Sequence, residues 1–259
     1  MNRFRAPQRS KPSDTRGFTR ESAAQLLDRN RERIAELQNT LYAESERSLL
    51  VVLQSMDTGG KDPIIRDVLS AANPQACRVT AFKKAGGAEK RRDRFRRFHQ
   101  EVPGKGEIGV FNRSYFDEII FHDAHGELDA DALRKEYERI LLFEEMLVSS
   151  GVTVVKIFLD ISKGEQKRRL QARMDDPERH WELSESDFSE RQFWDGYMLA
   201  FDTAIRQTNP DWAPWFIIPS DASWFRDAAA SIIIAGALEG MNPKYPPAKL
   251  DLSKVELTD

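Results

Sequence analysis

The stretch SLLVVLQSMDTGGKD, residues 48–62, decides the fold. Its first seven residues form an almost continuous apolar run, as expected of a strand that is buried on both faces. A glycine-rich turn follows, and residues 63–69 then have the apolar spacing of a helix. In a P-loop, this order of elements directs backbone N–H groups and a helix N-terminus at an anion. The stretch therefore predicts an α/β fold with a phosphate-binding loop.

Strand and helix patterns alternate along the rest of the chain, which indicates a parallel sheet flanked by helices on both faces. We expect residues 1–18 to form a flexible N-terminal arm, residues 19–241 to form one P-loop phosphotransferase domain, and residues 242–259 to form a C-terminal extension. The predicted strands are 48–54, 77–82, 107–111, 152–159 and 215–218. The predicted helices are 19–44, 63–69, 88–100, 129–149, 163–174, 187–207 and 223–238.

The composition limits the class of protein. An apolar share of 40% over 259 residues is enough for a substantial core, and Cys77 is the only cysteine, which excludes an internal disulfide. No apolar run approaches the roughly 18–20 residues that cross a bilayer, and no apolar segment follows the basic N-terminus as in a secretory signal. We therefore expect a cytoplasmic protein with no membrane partner.

The loop fits the general P-loop pattern G-x-x-x-x-G-K-[ST] only in part. Gly60 and Lys61 match, but Ser55 stands at the first glycine and Asp62 replaces the hydroxyl residue. A plain Gly-Gly turn between a strand and a helix would give the same pattern. If the segment is a P-loop, we expect it to bind phosphate through Lys61 and through further loop and helix residues. These are Thr58, Gly59, Gly60, Asp62 and Arg66.

Asp57 is the unusual residue of the loop, because a carboxylate there repels polyphosphate unless a cation lies between them. Magnesium commonly binds one or two protein carboxylates together with phosphate oxygens. Asp57 is thus the candidate Mg²⁺ ligand in place of the missing hydroxyl. It also fits an Asx-type turn that only stabilises the loop.

A second candidate site segment is Asn112-Arg113-Ser114-Tyr115, at the carboxyl end of the predicted strand 107–111. Ligands of open α/β sheets bind beyond such strand ends. Arg113 offers a planar fork of donors that suits phosphate, and we expect Asn112 and Ser114 to contribute to the same site. Taken alone, the segment equally fits an ordinary polar turn.

Basic residues concentrate in two segments, although the formal net charge is −3. One is residues 83–97, which includes Lys83, and the other is residues 163–179, in which Arg169 and Arg173 share a helix face. Such segments fit a channel for a polyanion, but charged helices also commonly present solvated faces. The absence of a recognised nucleic-acid-binding module argues against nucleic acid as the partner. Residues 163–187 are predicted to form a lid or, alternatively, a helix and surface loop.

The two motifs together resemble those of the family-2 polyphosphate kinases. That family has a strand followed by G-x-D-x-x-G-K or a close variant, and later F-[DN]-R-S-x-Y; residues 56–62 and 111–115 stand in these places. The likeness covers roughly residues 20–240. It includes Ala72-Asn73-Pro74-Gln75, Phe82, Lys83, Glu165, Gln166, Arg169, Arg173, His180, Trp181, Ser184, Asp187, Trp194, Tyr197, Thr208 and Ala213-Pro214-Trp215.

The resemblance implies a thymidylate-kinase-like P-loop fold with a helical lid, and a homo-oligomer, either a dimer or a tetramer. It implies Mg²⁺-dependent phosphoryl transfer between inorganic polyphosphate and a nucleotide, and the Asn form of the second motif resembles the class-III branch, which accepts nucleoside mono- and diphosphates. The chain departs from the family pattern where proline, histidine or a cation is usual. These positions are Ala85, Arg92, Asp123, Glu182 and Ser223.

Our hypothesis from the sequence is that Asp57, Lys61 and Arg113 are the catalytic residues of such a phosphotransferase. Two alternatives remain at this point. One is an ATP-dependent nucleotide or small-molecule kinase of the same fold. The other is a non-catalytic protein that binds polyphosphate or a nucleotide.

Overall fold

The structure is a computed structural model that describes residues 1–83, 86–87, 91–250 and 255. Its centre is a five-stranded, all-parallel sheet with the order β2-β3-β1-β4-β5. The strands are β1 (Ser48–Ser55), β2 (Cys77–Ala81), β3 (Ile108–Asn112), β4 (Val152–Asp160) and β5 (Trp215–Pro219). The predicted parallel sheet is confirmed, and each predicted strand lies within one or two residues of its position.

Helices cover both faces of the sheet and create two apolar cores. One core packs α1 and α9 against the sheet, and the other packs α4, α5 and α8. The helices are α1 (Arg20–Glu44), α2 (Lys61–Val68), α3 (Arg96–His99), α4 (Asp117–Ala124), α5 (Ala130–Ser149), α6 (Lys163–Met174), α7 (Glu185–Ser189), α8 (Trp194–Gln207) and α9 (Ser223–Met241). Short 3-10 helices are Asn2–Phe4, Pro74–Ala76, Pro177–Glu182 and Glu190–Phe193. No described helix is long and apolar enough to cross a membrane.

Two helix predictions need correction, and one helix was not predicted. The helix predicted over 88–100 begins outside the described residues, and within them α3 begins only at Arg96, because Asp93 accepts the backbone N–H of Phe95 in a local turn. The helix predicted over 187–207 is broken into α7, a 3-10 segment and α8. Helix α4 was not predicted, because eight residues give too short an apolar period. Lys84, Ala85 and Lys90 of the first basic segment lie outside the described residues, as do 251–254 and 256–259.

Residues 1–18, which the sequence predicts to form a flexible N-terminal arm, pack against the domain in the structure. The side chain of Phe4 is fully buried and its ring lies 6.1 Å from that of Phe225. Arg9 donates two hydrogen bonds of 2.8 Å to the buried carboxylate of Asp160. The sequence does not indicate these contacts, because the segment is mostly polar and the partners of Phe4 and Arg9 are distant in the chain.

Three buried polar side chains connect the segment that follows β3 with α5 and β4. Glu144 and Lys156 form a fully buried ion pair, and the Tyr115 hydroxyl donates a 2.8 Å hydrogen bond to Glu144 Oε1. Tyr115, the last residue of the second motif, therefore anchors the end of β3 in the core.

We expect Tyr115→Phe to lower the free energy of unfolding by about 1–3 kcal/mol, because a buried carboxylate oxygen loses its donor. Urea unfolding followed by circular dichroism measures this change. Tyr42→Phe is the matched control, because Tyr42 is half exposed and its loss of a hydroxyl should leave stability unchanged. Equal stability of the two variants would contradict the structural role of the Tyr115 hydroxyl.

Candidate functional site

The glycine-rich loop connects β1 to α2 at the carboxyl edge of the sheet. Thr58 and Gly60 both have positive φ angles, of +61° and +109°, and the N–H of Gly59 donates to the Met56 carbonyl at 3.1 Å. A Cβ at Gly59 would lie 2.4 Å from Ser55 Oγ. The serine that replaces the usual first glycine is therefore accommodated because the loop has glycine at position 59.

Gly60 lies against Arg226, a residue of α9 that the sequence analysis missed. A Cβ at Gly60 would be 2.0 Å from the Arg226 guanidinium, and the positive φ of Gly60 independently disfavours any residue with a side chain. Arg226 is 3% exposed and donates two hydrogen bonds to Asp227, of 2.8 and 3.0 Å. The signal that could have found it is a pair of adjacent charged residues, Arg226 and Asp227, near the start of a largely apolar helix.

Lys61 opens α2, and its amine turns back toward the end of β1. Its Nζ donates to Ser55 Oγ at 3.0 Å and to the Ser55 carbonyl at 3.3 Å. Burial lowers the pKa of the amine, and the neighbouring Asp57 carboxylate opposes that shift. A partly desolvated ammonium beside the loop amides is suited to hold a phosphate oxygen.

Arg113 and Asp57 meet across the ends of β3 and β1. Arg113 Nη2 lies 2.8 Å from Asp57 Oδ1, and both side chains are partly exposed to the site. The positive φ of Arg113, +66°, turns its side chain out of the strand direction toward the loop. Asn112 Nδ2 donates to Asp62 Oδ1 at 2.6 Å and so connects β3 to the first turn of α2.

Ser114 lies beneath the site and is 1% exposed. Its hydroxyl accepts a hydrogen bond from Gln54 Nε2 at 2.8 Å, and its backbone N–H donates to Asp117. Gln54 also donates to Asp117, so these three residues connect the ends of β1 and β3 with the start of α4. Ser114 lines the site, but its contacts in the structure are those of a residue that positions Arg113.

Two side chains of α6 donate hydrogen bonds to backbone carbonyls of the glycine-rich loop. Gln166 Nε2 donates to the Asp57 carbonyl at 3.1 Å, and Arg169 Nη1 donates to the Thr58 carbonyl at 2.9 Å. Arg169 makes three further hydrogen bonds, to Glu165 and to the carbonyls of Ser220 and Asp221. Four of the five N–H groups of a guanidinium are thus used, which makes Arg169 chiefly a support of the loop.

Residues 163–187, the segment predicted to form a lid, contribute two more arginines. Arg173 on α6 and Arg179 on the following 3-10 helix both form ion pairs with Glu182, at 3.0 and 2.9 Å. Glu182 is the residue that stands at a usual family lysine. Of the other departures, Arg92 is exposed, Ser223 lines the site and burial raises the pKa of Asp123.

Two cavities open on either side of the loop, and both are lined by Asp57 and Arg113. The first has a volume of about 730 Å³ and is rich in arginine: Arg66, Arg113, Arg168, Arg169, Arg173, Arg179 and Arg226. The second has a volume of about 400 Å³ and is more apolar, with Met56, Phe82, Ile120, Phe121, Tyr197 and Phe201 in its wall beside Lys83 and Arg97.

The structure therefore brings all of the predicted site residues to one edge of the sheet, divided between the two cavities. The first cavity includes the loop, with Thr58, Gly59, Gly60, Lys61 and Asp62, and also Arg66, Asn112, Arg169 and Arg173. Lys83 and Ser114 belong to the second. The first basic segment is itself divided, because Lys83 and Arg97 line the second cavity whereas Arg94 pairs with Glu136 and lines neither cavity.

Comparison with known proteins agrees with this geometry. The family model described as "Polyphosphate kinase 2 (PPK2)" matches residues 18–246. The chain is 39% identical over 246 residues to an AMP/ADP-polyphosphate phosphotransferase from Meiothermus ruber, covering 94% of this chain and 92% of that protein. It is 37% identical to an ADP-polyphosphate phosphotransferase from Rhodopseudomonas palustris, covering 88% of this chain and 83% of that protein.

A solved structure gives the same result. The crystal structure of polyphosphate kinase 2 from Arthrobacter aurescens superposes with a TM-score of 0.92 at 38% identity, covering 96% of this chain and 92% of that one. The family match extends over the loop, the strand-end motif and residues 163–187 together. The chain belongs to the polyphosphate kinase 2 family.

Proposed function

We propose that this protein transfers the terminal phosphoryl group between inorganic polyphosphate and a nucleoside mono- or diphosphate. The observation that carries the proposal is the pair of cavities that meet at Asp57 and Arg113. An arginine-lined cavity suits a chain of phosphates, and an aromatic, more apolar cavity suits a nucleobase. The shared residues lie where the phosphate ends of the two substrates would meet.

The residues at this junction are suited to phosphoryl transfer, which depends on positioning and electrostatics more than on covalent chemistry. Lys61 and the loop N–H groups would hold phosphate oxygens from the α2 side. Arg113 would neutralise the charge that develops on the transferred group. The carbonyl contacts of Gln166 and Arg169 keep the loop backbone in place, so that its amides need not reorganise during transfer.

The carboxylates of the loop fit Mg²⁺ as the cofactor. Within the described residues no group of three or more His, Cys, Asp or Glu side chains is arranged to hold a metal by itself. Magnesium does not need one, because it commonly takes one or two carboxylates and fills its other positions with phosphate oxygens and water. Asp57 would hold the ion, which when bound neutralises charge on the phosphates.

Activity with defined substrates tests the proposal. We expect the purified protein with Mg²⁺ to form ATP or ADP from polyphosphate and ADP or AMP, and the reaction to require all three components. ATP with candidate acceptors and no polyphosphate is the control for an ordinary kinase of this fold. Turnover only in that control, or binding of polyphosphate and nucleotide without turnover in any mixture, would refute the proposal.

A further inference from the structure

Glu182 lies at the centre of the lid arginines. Its Oε1 accepts from Arg179 Nε at 3.0 Å, and its Oε2 accepts from Arg179 Nη2 at 2.9 Å and lies 3.0 Å from Arg173 Nε. All three side chains line the arginine-rich cavity, and Glu182 is itself 23% exposed there. One carboxylate thus engages two arginines on the wall of the cavity.

The contacts that Glu182 makes are those that a phosphate group would make. A guanidinium binds a carboxylate and a phosphate through the same parallel pair of N–H donors, so the two anions compete for one fork. The hydrogen bonds from Arg179 hold the pKa of Glu182 below its ordinary value. The carboxylate is therefore ionised at neutral pH and compensates part of the positive charge of the lid.

The neighbouring acid of the lid helix is placed differently. Glu165 pairs with Arg168 and Arg169 but does not line the cavity. Glu182 faces the space in which the proposed polyphosphate would lie. Its negative charge acts on that substrate directly as well as through the two arginines.

We propose that Glu182 takes the place of a phosphate group at Arg173 and Arg179, and so weakens the hold of the lid on polyphosphate. This inference rests on the proposed function, because it concerns the same cavity. A residue that merely oriented the two arginines would have the opposite effect, since its removal would leave them less ordered and polyphosphate binding weaker. The sign of the change in affinity therefore decides between the two roles.

The test compares three variants with the wild-type protein: Glu182→Gln, Glu182→Asp and Glu178→Gln. The last is a matched control, because Glu178 lies on the same 3-10 helix and is exposed, but does not line the cavity. The KM values for polyphosphate and for the nucleotide are measured for each, together with the Kd of polyphosphate by calorimetry without nucleotide.

We expect Glu182→Gln to lower both the KM and the Kd for polyphosphate by about three- to tenfold, the effect of one partly screened unit charge a few ångströms away. The KM for the nucleotide should not change, because Glu182 does not line the second cavity. Glu178→Gln should retain wild-type values, and Glu182→Asp, which keeps the charge, should not tighten polyphosphate binding. A destabilised lid cannot produce this result, because misfolding does not tighten binding.

Unchanged or weakened polyphosphate binding in Glu182→Gln would overturn the inference, and so would a Glu182→Asp variant that behaves like Glu182→Gln. These outcomes leave the proposed function intact, because wild-type turnover with polyphosphate establishes it separately. If the wild-type protein neither binds nor uses polyphosphate, the proposed function itself fails, and this inference with it.

Discussion

Asp57→Asn is expected to reduce phosphoryl transfer by about 10²–10³-fold while leaving the fold intact. The side chain is partly exposed at the junction of the two cavities, and its contact in the structure is the 2.8 Å ion pair with Arg113. Asparagine keeps the size and the loop-stabilising capacity of aspartate but removes the charge that would hold Mg²⁺. Initial rates across a magnesium titration, with polyphosphate and ADP in excess, measure the effect.

The matched control for that variant is Asp28→Asn, which removes the same charge from an exposed position on α1. It should retain wild-type rates at every magnesium concentration. If Asp57→Asn also kept near-normal rates, the carboxylate would have only the turn-stabilising role that the sequence leaves open, and the assignment of the metal site would be wrong.

Lys61→Ala is expected to lower the rate by about 10²-fold, which corresponds to about 3 kcal/mol of transition-state stabilisation. Its ammonium is the cation that the loop itself supplies, and its amine donates to Ser55 at the end of β1, so its loss should not disturb the core. Steady-state kinetics with polyphosphate and ADP measure the rate, and thermal unfolding checks that the variant is folded.

Lys167→Ala serves as the control, because Lys167 is an exposed lysine of α6 that lines neither cavity. Its removal changes the net charge equally and should leave the rate within twofold of wild type. Comparable rates for Lys61→Ala and Lys167→Ala would mean that the loop lysine is not part of the reacting centre.

The sequence was sufficient for those features that depend on local pattern. A strand buried on both faces has a continuous apolar run, and a loop that turns back on itself needs glycine, so β1 and the loop could be predicted from residues 48–62. The approach of Arg113 to Asp57 was also predictable, because the carboxyl ends of parallel strands lie at one edge of the sheet. Each of these inferences needs only neighbouring residues and a known strand direction.

Features that depend on distant contacts could not be predicted in this way. Arg226 reaches the loop from the last helix, and no periodicity indicates which residue its guanidinium contacts. The sequence predicts Arg169 as a phosphate ligand. In the structure it donates most of its hydrogen bonds to backbone carbonyls, whose positions cannot be read from the sequence. Tyr115 belongs to a site motif but points into the core, because its partner Glu144 is contributed by α5.

The packing of residues 1–18 also has a consequence for the order in which the fold is completed. Arg5 pairs with Asp211, which is 206 residues further along the chain, and Ala6 donates its N–H to the Trp215 carbonyl at the start of β5. These two contacts of the N-terminal segment cannot form until Asp211 and β5 have been synthesised. Such long-range contacts slow folding, because a large loop must close before they form. Residues 1–18 are thus among the last to find all of their native neighbours.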